Sequence, residues 1–293
     1  MRLLDGRTLS DKIKSEIAQE VKNDFLDKGK PAPHLAAVLV GEDPASETYV
    51  NNKEKSCREV GFISSIYRYP AGIPEKKLLE VVDFLNKDDE VDGFIVQLPL
   101  PGHIREQNII ERINPLKDVD GFHPVNAGRM MLNLPAFLPA TPFGIMTLLE
   151  RYNIETEGKH VVVLGRSNIV GTPISLMLSR KAKTANATVT LCHSYTHDLK
   201  KFSLQADILI VAMGKQEFVT ADMVKPDAVV IDVGMHRIPS SDTKSGFRLK
   251  GDVKFDEVSK KCSAITPVPG GVGLMTIVSL LLNTLKAAKK EIN

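Results

Sequence analysis

In TYVNNKEKS (Thr48–Ser56), Tyr49 and Lys53 stand four residues apart, a spacing that stacks a phenol and an amine on one face of a helix. Such a lysine is ordinarily solvated and serves solubility. The other reading is chemical: an amine taken out of water loses basicity and can carry protons near neutral pH. Further along, Gln97 closes the run VDGFIVQLPLP, and Asp118 and Asp120 lie in NPLKDVDGFHP, a segment rich in turn formers. These residues sit where strands are expected to end, the usual place for ligands in α/β folds. A strand cap for Gln97 and Asx turns or helix caps for the two aspartates are the structural alternatives. No third ligand is spaced to make the aspartates a metal site, and the seven histidines form no HxxxH or HExxH pattern. Neither a metal centre nor a Ser-His-Asp nucleophile is expected.

The loop VVVLGRSNIVGTP (161–173) points to a different chemistry. An apolar run enters Gly165 and a second glycine, Gly171, follows where a helix should begin, so backbone N–H groups can approach a phosphate at the helix's positive end. The motif is not GxGxxG, because Arg166-Ser167 stands where its middle glycine would be. At the end of the next strand an NAD site usually carries an acid for the ribose hydroxyls, and here the residues are Leu191-Cys192-His193-Ser194. Arg166 and Ser194 can instead close around a 2′-phosphate, which favours NADP over NAD. Near the carboxyl end, TPVPGGVGLMT (266–276) forms a stiff, thin loop whose backbone can lie against a flat ligand.

The elements that must position these groups alternate between β-rich runs and amphipathic helical stretches, the pattern of an α/β protein with largely parallel sheets. A helix is expected near 9–28, then strands at 34–41, 62–69 and 91–98 with helices near 45–60 and 74–88. The pattern restarts with strands at 159–165, 187–194, 207–214 and 228–235. The proline-bearing stretch 132–144 separates the halves, and 273–291 reads as a buried terminal helix, apolar on more than one face. At 293 residues the chain suits two domains. A net charge of +2, from 38 basic and 36 acidic residues, gives no electrostatic case for nucleic acid or an anionic membrane. The cysteines Cys57, Cys192 and Cys262 are scattered and odd in number, as expected of core thiols in a reducing compartment. No run approaches the roughly 18 apolar residues of a membrane span, and the amino terminus lacks a leader's apolar region. A cytoplasmic protein is expected.

Seven stretches, in order, carry a resemblance: GEDPASETYVNNKEKSCREVGF (41–62), QLPLPGH (97–103), KDVDGFHPVNAGR (117–129), PATPFG (139–144), GRSNIVGTP (165–173), CHS (192–194) and TPVPGGVG (266–273). Over essentially its whole length the chain resembles the bifunctional methylenetetrahydrofolate dehydrogenase/methenyltetrahydrofolate cyclohydrolase family. One departure is Leu274, where the family's PGGVGPMT has proline; a small local effect is expected. The resemblance implies two α/β domains, a catalytic domain at 1–139 completed by 272–293 and an NADP-binding Rossmann-like domain at 140–271, with folate in the cleft between them. It implies that Lys53 is the main acid/base group, that Gln97 tunes it, and that Tyr49 flanks the substrate. It implies further that Asp120 grips the pterin and that Pro269, Gly270 and Gly271 line the substrate. Gly165, Arg166, Ser167, Gly171 and Ser194 are expected to hold NADP. The implied reactions are oxidation of 5,10-methylenetetrahydrofolate to the methenyl form and hydrolysis to 10-formyltetrahydrofolate, in one-carbon metabolism feeding purine biosynthesis, by a homodimer formed through the nucleotide domain. An NADP-dependent dehydrogenase for another small substrate would share the second half but not the set Tyr49, Lys53, Gln97 and Asp120.

Overall fold

The computed structural model describes residues 1–241, 243 and 246–292. In chain order its elements are β1 (Arg2–Leu3), α1 (Gly6–Asp24), β2 (His34–Val40), α2 (Pro44–Glu59), β3 (Ile63–Tyr69), α3 (Glu75–Lys87), β4 (Gly93–Val96), α4 (Glu106–Arg112), α5 (Pro124–Met131) and α6 (Ala140–Arg151). There follow β5 (His160–Leu164), α7 (Gly171–Ser179), β6 (Thr188–Cys192), α8 (Leu199–Ser203), β7 (Ile208–Val211), β8 (Val229–Asp232), β9 (His236–Pro239), β10 (Phe247–Lys250), α9 (Phe255–Val258), β11 (Ala264–Ile265) and α10 (Val272–Ala288). The chain divides into two compact units, one of 11–140 with 277–293 and one of 1–10 with 141–276.

The first unit is built on a three-stranded parallel sheet of order β3-β2-β4. Every residue of β2 is buried, which is why HLAAVLV is a continuous apolar run rather than an alternating one. Residues of even number in β2 and β4, including Ala36, Val38, Phe94 and Val96, form one core face with Leu78, Val82 and Leu85 of α3 and Ile109 of α4. Gln97, one step beyond Val96, continues the parity of Ile95 and leaves the sheet on the opposite face.

In the second unit six parallel strands lie in the order β1-β11-β8-β7-β5-β6, with β9 and β10 as a separate antiparallel pair. From β5 the chain moves outward to β6, then returns to β7 on the other side of β5. A crevice therefore opens outside the carboxyl ends of β5 and β7, where open α/β sheets bind ligands.

The compact units depart from the division at 139/140 and 271/272 read from sequence. Residues 1–10 pack with the second unit because β1 pairs in parallel with β11, Arg2 opposite Ala264 and Leu3 opposite Ile265. The stretch 132–144 is only partly a connection, since α6 already begins at Ala140. No helix of the described residues is long and apolar enough to cross a membrane.

Candidate active site

Helix α2 is fixed at both ends by its sequence. The Asp43 carboxylate accepts from the Ser46 amide at 2.8 Å, with Pro44 in the first helical position. At the other end Gly61 takes φ +80°; Phe62 N donates to Cys57 O at 2.9 Å and Gly61 N to Arg58 O at 3.2 Å, a Schellman closure. Between these ends Ser46, Val50, Lys53, Cys57 and Val60 form the buried stripe, while Lys55 and Arg58 project into solvent. Lys53 thus stands among apolar neighbours, 6% exposed, which excludes the solvated-face reading.

The Lys53 Nζ donates to Gln97 Oε1 at 3.1 Å and lies 5.0 Å from the centre of the Tyr49 ring. Gln97 is not a strand cap: its Nε2 donates to Leu98 O at 2.7 Å, which turns its oxygen toward the amine. Burial pushes the Lys53 amine below its usual basicity, against the opposing charge of Asp120. The Cys57 thiol, one turn on, is pushed up to about 12 by burial, so it stays protonated and carries no charge for the site.

The two aspartates have different fates. Asp118, buried, behaves as the turn residue: its carboxylate accepts from His123 N at 2.8 Å, Asn126 Nδ2 at 2.9 Å and Phe122 N at 3.3 Å. Burial raises its carboxyl to about 7. Asp120 keeps an open side, yet its surroundings also raise its carboxyl, opposed by the Lys53 charge. The loop carrying Asp120 is clamped on all sides. Ala140 N donates to Asp120 O at 3.2 Å, and Asn283 of α10 donates from Nδ2 to Val119 O at 2.8 Å and to Leu138 O at 2.9 Å. Gly121 has φ +73°, and a Cβ there would come within 2.7 Å of the Leu138 and Pro139 backbone. Asn283 was absent from the sequence reading; its signal is an amide inside SLLLNTL, an apolar run with no other use for it.

At the crevice of the six-stranded unit, backbones approach as a phosphate site requires. Gly165 has φ +111° and a Cβ there would lie 2.0 Å from Ala212 O; a Cβ on Gly171 would lie 1.9 Å from Gly165 O. The Ser167 Oγ accepts from Val170 N and Gly171 N at 3.2 and 3.4 Å, ordering the turn into α7. Arg166 and Ser194 are exposed at neighbouring strand ends, the Arg166 guanidinium 5.7 Å from the Tyr195 ring centre. With a glycine cradle, an exposed cation and no carboxylate at 192–195, these residues fit NADP.

Pro269, Gly270 and Gly271 belong to this same unit and not to the one that carries Lys53. Gly270 O accepts from Arg7 N at 3.1 Å, and a Cβ on Gly6 would lie 2.2 Å from Gly271 O. Leu274 N donates to Gly271 O at 3.3 Å, a bond that proline at this position would lack. Among the described residues no cluster of His, Cys, Asp and Glu has the form of a metal site.

Two family models match the chain: the catalytic domain of tetrahydrofolate dehydrogenase/cyclohydrolase over residues 4–120 and its NAD(P)-binding domain over residues 139–292. The bifunctional protein FolD of Porphyromonas gingivalis is 61% identical over 288 residues, covering 98% of this chain and 97% of the relative. The crystal structure of the bifunctional FolD enzyme from Campylobacter jejuni superimposes with a TM-score of 0.92 at 49% identity, covering 100% of both chains. The Trypanosoma brucei enzyme, solved with NADP and an inhibitor, gives a TM-score of 0.93 at 35% identity, covering 99% of this chain and 97% of that one. With both halves matched and Lys53, Gln97 and Asp120 gathered in one unit, the chain belongs to the bifunctional tetrahydrofolate dehydrogenase/cyclohydrolase family.

Proposed function

We propose that Lys53 is the proton carrier of this bifunctional enzyme, which oxidises 5,10-methylenetetrahydrofolate to the methenyl form with NADP and hydrolyses that product to 10-formyltetrahydrofolate. The observation that carries the reading is a buried amine held 3.1 Å from Gln97 Oε1 on the helix face that also carries Tyr49.

The oxidation asks little of the protein. Bound NADP supplies the hydride acceptor. The carbon that loses hydride is flanked by two nitrogens that share the resulting positive charge, so the residues need only align it. Hydrolysis needs a proton to move twice. Water attacking the methenyl carbon must lose one, and the ring nitrogen must gain one as its bond to that carbon breaks. The adduct's hydroxyl proton leaves for solvent as the formyl C=O forms, the net proton released when the cation becomes a neutral product. Lys53, its basicity lowered by burial and lowered further beside a cationic substrate, takes the first proton and returns it. Gln97 orients the amine through its oxygen. Asp120 accepts from the paired N–H donors of the pterin, and Tyr49 covers the reacting face.

On this reading the three-stranded unit, with 277–293, holds folate. The six-stranded unit holds NADP through Gly165, Arg166, Ser167, Gly171 and Ser194; Pro269, Gly270 and Gly271 of that unit are read as further substrate-binding residues. A cytoplasmic location suits three buried free thiols, and the product would serve purine biosynthesis. A homodimer built on the six-stranded unit is consistent with β6 as an outer strand of its sheet; sedimentation at micromolar concentration tests it.

The primary test mixes purified protein with methylenetetrahydrofolate and NADP, following reduced nicotinamide, and separately follows methenyltetrahydrofolate decay against buffer. Asp120→Ala is expected to weaken both activities through substrate binding while NADP affinity is kept. Folate affinity and both rates at wild-type values would return Asp120 to a turn residue.

A further inference from the structure

In the six-stranded unit, two buried carboxylates that neither reaction uses tie together loops at the carboxyl ends of three strands. Asp252 is 0% exposed. Its Oδ2 accepts from Met213 N at 2.7 Å and Gly214 N at 2.9 Å, and its Oδ1 from Lys215 N at 2.9 Å and His236 Nε2 at 2.7 Å. Three consecutive amides thus curl around one carboxylate, an anion nest filled from within the chain. Because a carboxylate only accepts, His236 carries a hydrogen on Nε2 whatever its charge.

Asp232 braces this arrangement from the end of β8. Its Oδ1 accepts from Gly234 N at 2.9 Å and Asp252 N at 3.0 Å, its Oδ2 from Val253 N at 3.0 Å, and its own amide donates to Thr266 Oγ1 at 2.8 Å. The fit leaves no slack: a Cβ on Gly234 would lie 2.4 Å from Asp252 N, and one on Gly251 would lie 1.8 Å from Asp232 Oδ2. Burying two carboxylates without a full counter-charge is costly. Apart from the His236 bond, their bonds are spent on the backbones after β7, β8 and β10.

The turn they hold, 213–215, follows β7 on the far side of the crevice from Gly165, and Gly165 packs on Ala212 O immediately before it. We infer that Asp252, anchored by His236 and Asp232, is a positioning residue for the dinucleotide: it fixes the Met213–Lys215 turn as the wall of the crevice opposite the Gly165–Gly171 cradle. The inference rests on the crevice being the NADP site, as proposed above.

The test titrates NADP calorimetrically into the full-length protein carrying Asp252→Asn, His236→Leu, His236→Gln or Arg166→Ala. The same preparations are assayed for methenyltetrahydrofolate hydrolysis, which consumes no cofactor and reports folding. Asp252→Asn places an amide donor against backbone donors and is expected to weaken NADP binding about tenfold or more. His236→Leu removes one donor and should weaken it several-fold, and His236→Gln, which can still donate to Oδ1, should recover most of the loss. Hydrolysis is expected to stay within about twofold of wild type. If Asp252→Asn does not fold, the His236 pair decides. Unchanged NADP binding in Asp252→Asn and His236→Leu overturns the inference, as does a parallel fall in hydrolysis, which would mean general destabilisation. If Arg166→Ala binds NADP as the wild type does, the crevice assignment fails first; if Arg166→Ala alone is impaired, only the role of Asp252 is lost.

Discussion

Lys53→Met separates proton handling from everything else the amine does. Methionine keeps the length and apolar stem of lysine on the buried stripe of α2, between Val50 and Cys57, and removes only the ionisable group. The loss of a general acid/base costs about 100- to 10,000-fold, so methenyl decay should fall toward the buffer rate. Dehydrogenation, which requires alignment but no protein proton carrier, should fall less, and NADP binding should persist. Stability changes through two opposed effects. Gln97 Oε1 loses its donor, worth about 1 kcal/mol, while the cost of burying a cationic amine disappears. At about 2–4 °C per kcal/mol in a protein of this size class, the melting midpoint near pH 7 should stay within about 4 °C of wild type.

The pH dependence carries the sign. Folding lowers the Lys53 basicity from its ordinary 10.5, chiefly by burial. Between the folded value and 10.5 the unfolded chain holds a proton that the folded chain has released, so this residue's contribution to stability is complete above 10.5 and is lost as pH falls through the folded value. The variant should lack that alkaline gain. Asp120, raised by burial, also loses the Lys53 charge that opposes the rise, and should go higher still. The assay pairs methenyl absorbance decay with thermal melts from pH 6 to 10. A folded Lys53→Met enzyme that hydrolyses at the wild-type rate refutes the reasoning, as does one whose stability rises toward alkaline pH as steeply as the wild type's.

Arg166→Ala should raise the Michaelis constant for NADP about tenfold or more and that for NAD far less, because a charge-assisted contact to phosphate is worth about 1.5–3 kcal/mol; equal losses with both cofactors would make Arg166 a loop-shaping residue. Asp118→Asn should flatten the pH dependence of stability between about pH 4 and 7. The wild-type carboxyl, raised to about 7 from 3.8, stabilises the fold fully below 3.8, and a contribution on the order of 4 kcal/mol is lost as pH rises through 7. Chemical denaturation at stepped pH measures this, and parallel wild-type and variant profiles would exclude it.

The strands β2, β5, β7 and β8 were legible because strands buried on both faces are apolar along most of their length, as LAAVLV and ILIV are. The loop from Gly165 to Gly171 was legible because a close backbone approach demands glycine there. Strand β1 was not, since Arg2 and Leu3 are both exposed and owe their conformation to pairing with β11. Helix α6 begins at Ala140, inside a stretch whose three prolines at 135, 139 and 142 read as a break. Local pattern also cannot say that Lys53 faces inward. Its i, i+4 neighbours Tyr49 and Cys57 suit a buried or a wet face, and only packing against the sheet that ends in Gln97 decides. Asp118 and Asp120, alike in the chain, are told apart by which one finds backbone donors within reach.

The hold of Asn283 on the loop of Asp120 also has a meaning in time. During synthesis the segment 117–123 leaves the ribosome long before residue 283 is made, and domains ordinarily fold as they emerge. Here the loop of Asp120 must wait, its Val119 and Leu138 carbonyls without the Asn283 amide, until the chain has grown past residue 283. A chain that stops short of Asn283 therefore leaves the loop of Asp120 unbraced, so two segments made far apart in time finish one piece of the candidate site together.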